Sequence, residues 1–122
     1  MKDNIVKSKS FDFALRIVKL YQFLVDDRKE YVLSKQLLRS GTSIGANIRE
    51  AEQAESKADF IHKTSVSLKE ANESEYWIEL LYRADYIDEN QFDSLNKDLI
   101  EILKLLTSII KTSKNSEQRR IN

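Results

Sequence analysis

Proline is absent from the chain, and its two glycines stand four apart, at Gly41 and Gly45. A run of 122 residues so made has almost nothing to break a helix or shape a tight turn. Long helices with short connections follow. Both glycines lie in residues 37–54, LLRSGTSIGANIREAEQA, which otherwise reads as one amphipathic helix. Glycine in a helix interior costs about 0.5–1 kcal/mol relative to alanine. Ser40, Ser43, Ala46 and Asn47 around them leave a helix face of little bulk. Something must pack closely there to offset the cost.

Apolar spacing predicts four helices, over about 10–27, 34–55, 57–84 and 88–112, followed by a flexible basic tail over 113–122. The first opens at Ser10 as N-cap and carries two apolar stripes: Phe13, Ile17, Leu20 and Leu24 on one, Phe11, Ala14, Val18, Tyr21 and Val25 on the other. The second starts near Ser34, and its core seam is Leu37, Gly41, Ile44, Ile48 and Ala51. Ser56 with Asp59 resembles a capping box for the third helix, whose apolar side is Ile61, Leu68, Ala71, Ile78, Leu81 and Tyr82. Asp88 caps the fourth, which shows heptads through Phe92, Leu95, Leu99, Ile102, Leu106 and Ile109. Short connections make successive helices antiparallel neighbours, so the expected fold is all-α: one antiparallel up-down-up-down four-helix bundle domain. Helix 1 with its two stripes, plus Tyr86 and Ile87 at the last turn, offers more apolar surface than one bundle hides. Self-association is the expected outlet.

Composition excludes several functions. No cysteine means no disulfide, thiolate metal site or cysteine nucleophile, which fits a cytoplasmic protein. No apolar run reaches the roughly 20 residues that span a bilayer, and the polar N-terminus is no signal peptide. A di-iron bundle needs two Glu-x-x-His motifs, whereas the one histidine, His62, has only Asp59 ahead of it. The Gly41-to-Gly45 stretch lacks the Gly-Lys-Ser/Thr ending of a phosphate loop and follows no strand. Ser40 and Ser43 have no base backed by an acid. The expectation is a protein without enzymatic activity, cofactor, metal or membrane.

Two sets of polar residues remain as candidates. Glu70, Glu73 and Trp77 share one face of helix 3, and Arg39, Ser40, Ser43 and Asn47 lie on the antiparallel helix 2. They are expected to form an inter-helix polar network, because a buried unpaired charge costs several kcal/mol, on the order of 3–5. Twenty basic residues balance twenty acidic ones, so no global field draws in RNA or DNA. Local candidates for nucleic-acid contact are Lys35, Arg39 and Arg49 on helix 2, Lys57, Lys63 and Lys69 on helix 3, and Arg119 and Arg120 in the tail. In an oligomer such weak patches would add together.

The blocks Leu37-Leu38-Arg39-Ser40-Gly41-Thr42-Ser43-Ile44-Gly45-Ala46-Asn47-Ile48-Arg49-Glu50-Ala51, Ser56-Lys57-Ala58-Asp59-Phe60-Ile61-His62-Lys63, Leu68-Lys69-Glu70-Ala71-Asn72-Glu73 and Tyr76-Trp77 carry a family resemblance. In their order and spacing the chain resembles the bacterial four-helix bundle proteins first noted as reading frames in intervening sequences of 23S rRNA genes. The resemblance implies a homopentameric ring without established enzymatic activity. It also implies kinship with the accessory variability determinant of diversity-generating retroelements, which works with a reverse transcriptase and binds nucleic acid through a basic surface. An RNA or ribonucleoprotein accessory scaffold is therefore one expectation. A pure protein–protein assembly module with no nucleic-acid role is the other.

Overall fold

The computed structural model describes residues 2–121, with side chains through Arg119. Four helices follow one another: α1 (Lys2–Asp26), α2 (Leu33–Glu52), α3 (Lys57–Arg83) and α4 (Glu89–Ile121). Each packs on its chain neighbour, and α4 closes back on α1, giving the antiparallel four-helix bundle. The seam between α2 and α3 is the most extensive and that between α1 and α4 the thinnest.

Each helix sends one row of alternating three- and four-residue steps inward. In α1 the row is Val6, Ser10, Phe13, Ile17, Leu20 and Leu24. In α4 it is Leu95, Leu99, Ile102, Leu106 and Ile109, continued by Ser113. The row of α3 is Thr64, Ser67, Ala71, Ser74, Ile78 and Leu81. Three of those six are hydroxyl residues, and the apolar Leu68 and Tyr82 stand beside the row, half-buried. Of the two apolar stripes on α1, only the one through Phe13 and Leu24 enters the core. Phe11, Leu15 and Val18 remain 48%, 48% and 38% exposed.

The helix ends depart from the expected ones for local reasons. Ser10 is no N-cap: α1 already runs from Lys2, because Val6 extends the buried row by a turn. Ser10 is fully buried mid-helix, its Oγ donating to the Lys7 carbonyl at 3.0 Å. α2 begins at Leu33, next to the expected Ser34. Its first turn is held by the Glu30 carboxylate, which accepts from the backbone N–H groups of Val32, Leu33 and Ser34 at 3.1, 3.0 and 2.7 Å. The side chain thus satisfies three of the N–H groups that a helix start leaves without partners. α2 ends at Glu52, earlier than its apolar pattern implied. Ser56 does cap α3, accepting from the Asp59 N–H at 3.0 Å. Asp88 and Gln91 cap the start of α4 reciprocally at 2.8 and 2.9 Å. The segment from 113, expected as a flexible tail, continues α4 as helix to Ile121.

Both long turns use a left-handed residue, Lys29 at φ 56° and Asp85 at φ 67°. At the second, the Tyr86 N–H returns to the Leu81 carbonyl at 2.9 Å, closing a Schellman-type end. Ile87, expected to add exposed apolar surface, is buried instead and plugs that end of the core. Tyr86 is half-buried, with the Arg28 guanidinium 5.9 Å from its ring centre.

Candidate functional site

The low-bulk face of α2 is met from both sides. Toward α1, a Cβ built on Gly41 would stand 2.9 Å from Ile17 Cγ1 and 3.0 Å from Cγ2, closer than side chains pack. A Cβ on Gly45 would stand 3.3 Å from Ser10 Oγ. Toward α3, the Ser67 hydroxyl donates to the Ile44 carbonyl at 2.8 Å, and the Ser74 hydroxyl lies 2.9 Å from Ser40 Oγ. Small residues on α1, α2 and α3 therefore draw three backbones together. Dispersion contacts between close-packed elements are individually small and collectively large, which offsets what the glycines cost.

At the rim of the α2–α3 seam sits a charged cluster. Arg39 Nη1 lies 3.2 Å from Glu70 Oε2, and Arg39 Nη2 donates to Glu73 Oε2. The Trp77 indole Nε1–H donates to the same Glu73 oxygen at 3.0 Å. That bond holds the Glu73 carboxyl below the ordinary glutamate value. Partial burial opposes the shift, and Arg39 reinforces it. Tyr76, 61% exposed, meets Trp77 edge-on with ring centres 5.0 Å apart. Ser40, Ser43 and Asn47 do not join these carboxylates. Ser43 Oγ donates to the Arg39 carbonyl at 2.6 Å and Asn47 Nδ2 to the Ser43 carbonyl at 2.9 Å, each within its own helix, while Ser40 turns to Ser74. The cluster is a half-exposed clamp between two helices, with no hydroxyl activated by a base.

The residues expected to contact nucleic acid are spread over α2, α3 and the end of α4, and of them Arg49 and Lys63 border one shallow depression together with Glu50, Glu55 and Asp59. Arg39 is held by its two glutamates, and Lys63 pairs with Glu50 at 2.9 Å. The Arg49 guanidinium lies 5.2 Å from the Phe11 ring centre, and the Lys57 ammonium 5.9 Å from that of Phe60. Lys35 and Lys69 are exposed on different helices, and Arg119 lies far along α4. The side chain of Arg120 lies outside the described residues. His62 is exposed. Among the described residues no three histidine, cysteine, aspartate or glutamate side chains stand where they could hold a metal ion. No helix there is long and apolar enough to cross a membrane.

Two features extend what the sequence marked. The exposed row on α1 includes Leu15, which fell outside both stripes. Four lysines along the outer side of α4, Lys97, Lys104, Lys111 and Lys114, are all exposed. Their spacing was the available signal.

A small-residue seam between α1, α2 and α3 and a charged clamp at its rim mark this chain as one kind of antiparallel four-helix bundle. The family model described as 23S rRNA-intervening sequence protein matches residues 2–108, and the chain belongs to that family. Among solved structures it is similar to a protein of unknown function from the S23 ribosomal protein family of Bacteroides thetaiotaomicron VPI-5482. The two are 68% identical with a TM-score of 0.90, over 91% of this chain and 99% of that one. No curated protein matches.

Proposed function

We propose that this chain is a non-enzymatic bundle that assembles with copies of itself and serves in the cytoplasm as an accessory scaffold for a ribonucleoprotein. The observation that carries the reading is the outward row Phe11, Leu15 and Val18 on α1, three large apolar side chains left between 38% and 48% exposed. Arg49 touches Phe11, so the α2 row that leads to it, Leu38, Thr42 and Gly45, borders the same surface with no carboxylate among them. A contiguous apolar surface on a charged bundle is where a partner docks. A second copy is the occupant that the family resemblance favours, in a closed ring of five.

The absence of a catalytic role is supported by how the hydroxyls near the glycines are spent, on backbone carbonyls and on each other. The RNA part is supported by the family's name and by that of the S23 neighbour. The balanced charge favours the second reading, an assembly module without nucleic acid. Sedimentation velocity tests the assembly. Wild-type protein is expected to sediment as a discrete oligomer, and Leu15→Glu with Val18→Glu as a monomer of unchanged helical circular dichroism. A monomeric wild type, or a variant that still assembles, removes the reading.

A further inference from the structure

The outward row of α4 steps by three and four residues through Lys97, Ile100, Lys104, Thr107, Lys111 and Lys114, every one exposed. It spans about 25 Å at 1.5 Å per residue, and the first three lysines recur about 10 Å apart. The row itself holds no carboxylate. The acids beside it are turned toward α1: Glu101 pairs with Lys9 at 2.6 Å, and Asp98 with Arg16 at 2.6 Å. No ion pair among the described residues joins any of the four lysines to a carboxylate; on α4 itself Asp93 lies one turn before Lys97 and Glu117 three residues after Lys114. They rim two shallow depressions, Lys97 and Lys104 one, Lys111 and Lys114 the other. Exposed Arg119 follows on the part of α4 beyond residue 108, where the family match ends.

Cations in a helix's last turn complement its dipole, but Lys97 and Lys104 lie several turns earlier, so a second cause is needed. We infer that this ridge is a docking surface for the sugar-phosphate backbone of a nucleic-acid duplex. Lysine is a point charge suited to phosphate, and a straight, evenly spaced line of such charges fits a rigid polyanion. The row carries no aromatic ring for unpaired bases to stack on. It also lacks the aromatic and leucine side chains that bury in a lipid interface. Contact is thus to phosphates, strong at low salt and indifferent to sequence. This rests on the scaffold reading above and moves the contact from α2 and α3 to α4.

The test is fluorescence anisotropy on the full chain with a fluorescein-labelled RNA duplex of about two helical turns, and with the DNA duplex of the same sequence. At about 50 mM salt the wild type binds, and Lys104→Glu with Lys111→Glu weakens binding by about tenfold or more. The log–log salt slope falls by about 2, since each phosphate contact contributes about 0.9. Lys104→Gln with Lys111→Gln gives a smaller loss of the same sign. Lys19→Glu with Lys29→Glu, the same charge change at the other end of the bundle, stays within about twofold of wild type. Equal affinity for both duplexes assigns the contact to phosphodiester alone, and preference for RNA to A-form geometry; either supports the ridge. Wild-type binding that the ridge variants leave unchanged, or that Lys19→Glu with Lys29→Glu weakens equally, overturns the ridge and spares the nucleic-acid reading. Failure of the wild type to bind either duplex removes both.

Discussion

At Gly41 and Gly45 the same substitution meets two different neighbours. Alanine at either position gains about 0.5–1 kcal/mol of helix propensity. At Gly41 the new methyl group falls 2.9 Å from Ile17 Cγ1, on a fully buried branched side chain that is stiff about χ1. Overpacking of that kind costs about 1–3 kcal/mol. At Gly45 the nearest atom is the Ser10 hydroxyl at 3.3 Å, which needs to give by only a few tenths of an ångström. Urea denaturation is expected to show Gly41→Ala net destabilised by about 1–2 kcal/mol and Gly45→Ala by less than about 1 kcal/mol. Equal losses would mean that α1 and α2 separate freely, and that the seam does not depend on close approach. The stretch was conspicuous in the sequence because glycine is rare in this chain. Which glycine tolerates a methyl group was not, since that depends on which α1 side chain lies opposite.

Among the elements, α2 depends most on one side chain outside itself. Burial opposes ionisation of Glu30, but the N–H groups of Leu33, Ser34 and Val32 outweigh it and hold the carboxyl below the ordinary glutamate value. A depressed carboxylate contributes its stability above the unfolded value of about 4.3, and loses it as pH falls through the lower folded value. Glu30→Gln is therefore expected to cost about 1 kcal/mol at neutral pH and to flatten the acid limb of the stability curve just below about pH 4. An unchanged acid limb would show that the cap carries no ionic contribution. Glu30 was illegible in the sequence because capping signals are sought at the N-cap position, and this side chain reaches in from two residues earlier. The apolar rows of α2 and α4 were legible from spacing alone. Half the row of α3 was not, because Thr64, Ser67 and Ser74 carry no apolar signal; in the bundle Ser67 donates to the Ile44 carbonyl of α2, Ser74 meets Ser40 Oγ and the Glu70 carbonyl, and Thr64 donates to the Phe60 carbonyl of its own helix. The clamp of Arg39, Glu70, Glu73 and Trp77 could be anticipated from antiparallel register. The beginning of α1 and the last turns of α4 could not, since few apolar residues mark them.

At the scale of the whole molecule, charge is paired across each seam but not along the outer side of α4. α1 lends its cations to the acids of α4, and the outer lysines of α4 are left unmatched. A chain with no net charge can in this way carry a local line of cations, which bulk charge conceals. The same α1–α4 seam also bears on the route to the native state. Its polar contacts join residues very far apart in sequence, Lys2 to Ser108 and Arg16 to Asp98 and Ser94, whereas α2 and α3 are bridged by near neighbours such as Ile44 and Ser67. Closing the longer loop costs more entropy before any contact rewards it, so the hairpin of α2 and α3 should form first and the α1–α4 closure last. Lys9→Ala with Arg16→Ala, removing two half-exposed ion pairs, is then expected to speed unfolding and leave the refolding rate unchanged in a denaturant chevron. A matching drop in the refolding rate would place the closure inside the transition state. If closure comes last, opening comes first, and the α1–α4 seam is the edge along which this bundle begins to come apart.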